Sequence, residues 1–273
     1  MAAATRRVVS VNAWFRKAAF GMADFEILSR ASGSVVRRGR GAGAGAGRLI
    51  VLSCLHVVHP FRYPQYYDPT DEGSTWLQHV LAEDVRCTAQ VMDAEGKVLD
   101  RTDLDIDFVK AHPTRDLVAL RFADTAAGRD MLDRHSVAVH DLAMGYDPAP
   151  GETLTVDGHR TISRLEDNVD VAIELPWTEA AHVVAREQIR QRGQDGHIVE
   201  VDQIFAATPA VLTMGMCGGA AVDERGRFCG LVEGIMSESS AKAAGQSTQY
   251  AALIAHRQIS EFVDSLLEDD AAW

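Results

Sequence analysis

The sequence predicts an all-β protein of two barrels closed by one C-terminal helix, and three observations carry that expectation. Short apolar runs bounded by Gly, Pro, Asn and Asp recur in two groups, the pattern of antiparallel strands and turns. A polar stretch, "DTAAGRDMLDRHS" (124–136), separates the groups and has the character of a linker with a short helix. The last periodic segment, "AHRQISEFVDSLLEDD" (255–270), is an amphipathic helix ending in acids.

The elements follow in order. The opening "MAAATRRVVSVNAWFRKAAFGMADF" is rich in Ala and Arg, has no acid before Asp24, and sets Val8, Val11, Trp14 and Phe15 at helix-like spacing. It reads equally as a mitochondrial targeting helix or as an amphipathic helix docked on the domain. "SGSVV" (32–36) and "RLIVLS" (48–53) read as strands, with "RRGRGAGAGAGR" (37–48) as an elongated hairpin tip that cannot pack a core. "HPFRYPQYYDPTDEGS" (59–74) reads as an insertion loop. Strands are expected at 85–93, 106–112 and 116–122, with a turn at 93–97. The second group runs through "PGETLTVDGHR" (150–160), "DVAIELP", "HIVEVDQIF" (197–205), "GAAVDERGRFCGLVEGI" and "TQYAALI" (248–254), and "TEAAHVVAREQIRQRG" (178–193) is expected as a helical insert. The chain thus divides into a basic segment (1–25), a first barrel (26–123), a linker (124–140) and a second barrel with the terminal helix (141–273).

The bulk properties narrow the function. A net charge of −12 argues against a nucleic-acid-binding body, since phosphate contacts need a basic face. Positive charge nevertheless gathers before residue 49, where nine Arg and Lys face only Asp24 and Glu26. The basic N-terminal region and loop 37–48 are therefore where a protein or RNA partner would touch. No apolar run approaches the ~20 residues of a membrane span. Cys54, Cys87, Cys217 and Cys229 show neither disulfide-framework nor zinc-site spacing, which points to reduced thiols and a reducing compartment. The histidines show no ligand spacing, so neither a metal nor a cofactor is expected.

Three fragments carry chemistry-bearing residues. "VLSCLHVV" (51–58) delivers His56 at the end of a β-like run, "HPTRDLVALRF" (112–122) sets Asp116 at the start of an apolar strand, and "GMCGG" (215–219) presents Cys217 between glycines. Glycine allows positive φ and close backbone approach, so a reacting group can come near the main chain there. A nucleophile, a base and a carboxylate that orients the base are the minimum set for covalent acyl transfer. Cys54, Cys87 and Cys229 read as small buried hydrophobes.

The order and surroundings of these fragments resemble the chymotrypsin-like (trypsin/HtrA) protease superfamily. "VLSCLHVV" is similar to that superfamily's "ILTNAHVV", "DLVALRF" to its "D-[IL]-A-[VL]-L" strand, and "GMCGGAAVDERGRFCGLVEGI" to its "G-[DN]-S-G-G-P-L" turn and following strands. The resemblance spans roughly residues 30–265 and implies two six-stranded antiparallel barrels, with Cys217 as nucleophile, His56 as base and Asp116 as orienting acid. It also implies an oxyanion hole from the Gly215 and Cys217 amides, and substrate contacts at Val211, Glu233 and Gly234. Cysteine in place of serine resembles the cysteine proteases of picornavirus-like viruses. Val211 stands where trypsin-like members that select Lys or Arg carry an acid, and no histidine follows Cys217 before His256 to read glutamine, so the pocket is expected to be apolar or small. Two functions fit: a cysteine endopeptidase acting on peptides, mitochondrial or cytoplasmic, and a pseudoprotease serving as a structural subunit of a larger assembly, mitochondrial and in one version ribosomal. Fold alone does not choose between them.

Overall fold

Val9, Val11, Ala13 and Phe15 alternate along the opening segment, and this period of two prevails over the helical spacing of Val8, Val11 and Trp14. In the computed structural model these residues form a strand, β1 (Val9–Phe15), with all four side chains buried. The helix expected in the N-terminal segment is thus a barrel strand, and the first barrel starts well before residue 26. A strand wins because both its edges find partners: Val11 pairs with Ala31 on one side and Ala89 on the other. The structure describes residues 6–38, 47–63, 75–166, 169–192, 197–209, 212–237 and 249–268. Most of the 37–48 hairpin tip, most of the 59–74 insertion and Val211 lie outside them.

Strands β2 (Glu26–Arg38), β3 (Arg48–Ser53), β4 (Val85–Met92), β5 (Val98–Ala111) and β6 (Val118–Phe122) complete the first barrel. The antiparallel order is β1-β4-β5-β6-β3-β2, closed by the β1–β2 pairing. A short β7 (His140–Asp141) adds parallel to β2. The β2–β3 hairpin runs from Ser34↔Leu52 to Arg38↔Arg48, so the Gly/Ala/Arg run does connect two paired strands.

The second barrel closes in the order β10-β13-β12-β11-β8-β9. Its strands are β8 (Thr153–Glu166), β9 (Val169–Arg192), β10 (Ile198–Ala207), β11 (Ala220–Val222), β12 (Phe228–Ser237) and β13 (Gln249–Ala255). The helical insert expected over 178–193 is instead strand through Arg192, its residues 178–192 forming the second part of β9. β9 changes partner midway, pairing with β8 up to His182 and with β10 from His182 to Arg192. The Ala, Glu, Gln and Arg of this segment favour helix in isolation, but two ladders of backbone hydrogen bonds outweigh propensities of roughly a few tenths of a kcal/mol per residue. The far end of the β8–β9 hairpin lies over the first barrel, where Ser10 Oγ donates to Glu174 at 2.8 Å and Arg30 donates to the Ala172 carbonyl at 2.8 Å.

Three α-helices are found among the described residues. α1 (Leu55–Val58) is a single turn after β3. α2 (Thr125–Arg134) joins the barrels and is capped by Asp124, whose carboxylate accepts from the Ala126 and Ala127 amides at 2.8 and 3.1 Å. α3 (His256–Glu268) follows β13 yet buries Ile259, Phe262 and Val263 in the core of the first barrel. Arg38 of β2 holds α3 through two hydrogen bonds to Asp264, at 2.8 and 2.7 Å. The same apolar core takes in Val222, Phe228, Leu231 and Ile254 of the second barrel. The seam between the barrels is therefore hydrophobic and continuous. Among the described residues, no helix is long and apolar enough to cross a membrane.

Because β1 supplies a ladder to both β2 and β4, removing residues 1–15 opens the first barrel on two edges. The expected outcome is loss of a cooperative thermal transition and of soluble protein. A truncated chain melting within a few degrees of the intact one would show that β1 is dispensable.

Candidate active site

The Ser53↔Val118 pairing of β3 and β6 brings the ends of two strands side by side. The chain leaves β3 at Cys54 and turns into α1, so His56 faces the residue that precedes β6. Asp116 holds His56 at two points: Oδ1 accepts the His56 backbone N–H at 2.9 Å and Oδ2 bonds ring Nδ1. The loop before Asp116 is fixed by His112, whose Nδ1 accepts from the Thr114 and Arg115 amides at 3.1 Å each. Burial and the neighbouring Arg115 push His112 down to about 4, so it is neutral and able to accept. Asp116 is nearly buried, with its side chain 9% exposed, while that of His56 is 21% exposed. Tyr63 packs edge-on against the His56 ring, centroids 6.0 Å apart.

Cys217 comes from the other barrel, in the turn before β11. Gly215 and Gly218 take φ of 99° and 88°, and a Cβ on Gly218 would sit 2.0 Å from the Ser32 carbonyl oxygen. Both positions need glycine. The turn is sewn to the first barrel by three buried serines. The Ser32 amide donates to the Cys217 carbonyl at 3.0 Å and its hydroxyl to the Gly215 carbonyl at 2.7 Å. Ser34 Oγ donates to the Gly218 carbonyl at 2.9 Å, and Ser53 Oγ supports Ser32 by donating to its carbonyl at 2.8 Å. None of these serines carries a sequence signal, because even the nearest of their partners lies 21 residues away. Among the described residues, neither the Gly215 nor the Cys217 amide donates to a backbone carbonyl.

The structure places Cys217 near enough to His56 and to Cys54 for both to perturb its thiol. The hydrogen bond from Cys54 and, against the opposing effect of burial, the hydrogen bond and charge of His56 push the Cys217 thiol down to about 5. Burial alone would lower His56, but Asp116 and Cys217 together raise it to about 10. Between these values the shifts favour thiolate and imidazolium over thiol and neutral imidazole. Cys54 is fully buried as a core residue, and burial drives its own thiol up, keeping it protonated. Cys87 and Cys229 are buried and likewise pushed up, each to about 12.

Cys54, His56 and Asp116 place one possible metal-ligand atom each within 4.8 Å of one another, a cluster the spacing rules for zinc did not reveal. Sulfur, imidazole and carboxylate suit a soft divalent ion. Here, however, both Asp116 oxygens bond His56, an arrangement that orients an imidazole rather than leaving it to a metal.

Glu233, expected beside substrate, turns inward instead. Its Oε2 pairs with the Arg115 guanidinium at 2.5 Å and its Oε1 accepts the Asp116 amide at 3.3 Å. Arg115 is wholly buried and also donates to Gln203 Oε1 at 2.8 Å. An acid on this strand is forced inward by Arg115, a buried charge that must be paired. Gly234 does sit at the surface of β12, at a shift in register against β13, with open space where a side chain would be. Val211 lies outside the described residues.

The Arg115–Glu233 pair joins the loop carrying Asp116 to the second barrel. Glu233→Gln leaves a buried cation unpaired, and the expected cost is about 3–5 kcal/mol in chemical denaturation. Adding Arg115→Met removes that cation, while the carboxamide oxygen introduced by Glu233→Gln still accepts the Asp116 amide, so at least half of the lost stability should return. Equal stability of single and double variants would refute the pairing.

Comparison with known proteins bears on this geometry. No curated protein matches the sequence. Among solved structures, the apo MamO protease domain of Magnetospirillum magneticum superimposes with a TM-score of 0.50 at 15% identity, covering 92% of this chain and 94% of that one. The active form of the Rv3671c protease of M. tuberculosis gives 0.52 at 12% identity, covering 96% and 82%. At such identities the likeness concerns the fold. The model of the trypsin-like peptidase domain matches residues 31–231, which takes in His56, Asp116 and Cys217, and the chain belongs to the trypsin-like peptidase family.

Proposed function

We propose that the chain is a cysteine peptidase whose nucleophile is Cys217. The observation that carries this reading is the hydrogen-bonded Asp116–His56 pair of the first barrel standing beside Cys217 of the second. The Cys217 thiolate attacks the scissile carbonyl carbon, forming a C–S bond and moving the carbonyl electrons onto oxygen. The Gly215 and Cys217 amides supply two donors for that oxyanion; removing one such donor typically costs ~10²–10³ in rate. The His56 imidazolium gives its proton to the leaving amine as the C–N bond breaks. Water then attacks the thioacyl carbon, with neutral His56 taking its proton and Cys217 leaving as thiolate. Asp116 holds the ring by Nδ1, so that Nε2 faces the sulfur.

The substrate in this reading is a peptide lying extended along β12. Beyond Val232 the described part of β12 pairs with β13 on one side, and Gly234 leaves its other edge open to a backbone. The pocket next to Val211 would be apolar or small, and cleavage after Lys, Arg or Gln is not expected to dominate a profile over internally quenched peptides.

The two perturbed groups set the pH dependence. Thiolate forms as pH rises through about 5, and the imidazolium proton donor is lost as pH rises through about 10. The expected kcat/KM is therefore bell-shaped with a plateau across neutrality. At pH 6.5 iodoacetamide should label Cys217 well ahead of the three buried thiols, and His56→Ala should slow both labelling and turnover, the latter by ~10²–10⁴. Labelling of Cys217 no faster than Cys87, and unaltered by His56→Ala, would leave the site inert and favour a non-catalytic scaffold.

A further inference from the structure

The mechanism above uses one sulfur, yet the site holds two. Cys54 sits at the head of α1, two residues before His56, in extended backbone (φ −84°, ψ 143°), and none of it is exposed. Its Sγ lies within 4.8 Å of ring nitrogen and carboxylate oxygen of the His56–Asp116 pair. It also lies 3.4 Å from the Val232 carbonyl oxygen, and that same oxygen accepts the Gly218 amide at 2.8 Å. One carbonyl thus draws the Cys54 thiol and the residue following Cys217 to the same point. The two sulfurs are near enough for each to perturb the other. Cys217 packs on the core cluster that contains Cys54.

We propose that Cys54 and Cys217 form a reversible disulfide that switches the site off in response to hydroperoxide, with Cys217 attacking and Cys54 resolving. The regulatory meaning rests on the peptidase reading; the modification itself does not. In the first step the Cys217 sulfur bonds one peroxide oxygen, the O–O bond breaks, and His56 gives its proton to the departing hydroxide. The products are Cys217 sulfenic acid, water and neutral His56. In the second step His56 takes the Cys54 proton, the Cys54 sulfur bonds the Cys217 sulfur, and the displaced hydroxide leaves as water on recovering that proton. The net change is two thiols plus one hydroperoxide to one disulfide plus two waters (for hydrogen peroxide). A dithiol reductant reverses it by exchange through a mixed disulfide.

The environment suits both roles. Cys217 is the low-pKa, partly exposed sulfur that a peroxide would meet, and Cys54 is a shielded thiol beside it. Bond formation requires the two neighbouring sulfurs to close to the ~2.05 Å of a disulfide. The bond would tie α1 of the first barrel to the nucleophile turn of the second and remove the attacking electron pair. No other pair among the four cysteines offers this, since Cys87 faces the first barrel's core and Cys229 the second's.

The test follows the sulfur and not the activity, so it holds whether or not the chain cleaves peptides. The intact chain is exposed to a few equivalents of hydrogen peroxide at pH 7, alkylated, digested without reduction and examined by mass spectrometry. The expected product is a peptide pair linked through Cys54 and Cys217, with iodoacetamide labelling of Cys217 lost and then restored by dithiothreitol. In Cys54→Ser the same treatment should carry Cys217 on to sulfinic acid, with labelling not restored; Cys54→Ala serves if the serine variant fails to fold. Sulfinic acid forming in the unaltered chain as fast as in the Cys54 variant would overturn the proposal, as would a linkage of Cys217 to Cys87, to Cys229 or to a second chain. If the disulfide forms and reverses while no peptide is cleaved in either state, the peptidase reading falls and the redox site stands.

Discussion

Everything at the site depends on the seam that registers one barrel against the other, and that seam is built on Ser32. Its amide, hydroxyl and carbonyl are all engaged: with Cys217, with Gly215 and with Ser53. The hydroxyl also accepts the His159 amide at 2.8 Å, so one side chain ties β2 to both β8 and the nucleophile turn. Each such bond adds only about 0.5–1.5 kcal/mol net, but a buried group left without its partner costs about 1–3 kcal/mol. A shift of either barrel would orphan several of these groups together. The seam therefore acts as a register mark more than as a glue, and the apolar core running through it supplies the adhesion. Gly218 fits the same logic, since any side chain there would push the turn off Ser32.

Within that frame, burial sets the direction for most buried titratable groups, and what faces a group decides the exceptions. His59, His112 and His159 are all driven down to about 4, with burial the main cause in each. His56 meets the same burial and yet rises to about 10, because a carboxylate and a sulfur flank its ring. The thiols divide in the same way: Cys87 and Cys229 are pushed up, and Cys217 is pushed down by its two partners. Opposite signs in like surroundings single out Cys217 and His56 as the pair arranged to carry charge. Arg115 and Glu233 extend the series, placing a compensated ion pair behind Asp116 so that its negative charge does not stand alone in the interior.

Most of the strand layout was legible because strand runs and turn residues are local signals. The motifs around His56, Asp116 and Cys217 were legible because each sits within a few residues of the feature that positions it: a strand end, a strand start, a glycine turn. What escaped was non-local. Residues 9–15 satisfy both a period of two and a helical spacing, and only the edges of β2 and β4 decide between them. Residues 178–193 have helical propensity throughout, and only pairing with β8 and β10 overrides it. The seam serines, the inward turn of Glu233 and the approach of Cys54 to Cys217 are contacts across more than a hundred residues in most cases, which no window along the sequence samples.

In the cysteine-peptidase reading proposed above, a thiol in place of a hydroxyl nucleophile changes what the rest of the site has to do. A serine hydroxyl stays neutral until the moment of attack, so its partners must favour proton transfer in flight. A cysteine held as thiolate is charged beforehand, and the turn must stabilise that charge without screening it from substrate. His56 supplies the opposite charge from one side, and the Cys54 thiol contributes a weak, polarizable donor from the buried side, leaving the exposed face free. A hydroxyl at residue 54 would donate more strongly and hold the thiolate more tightly, lowering its nucleophilicity along with its pKa. In that reading the softer donor keeps the sulfur ionised and still reactive, and the same proximity is what the proposed disulfide would use.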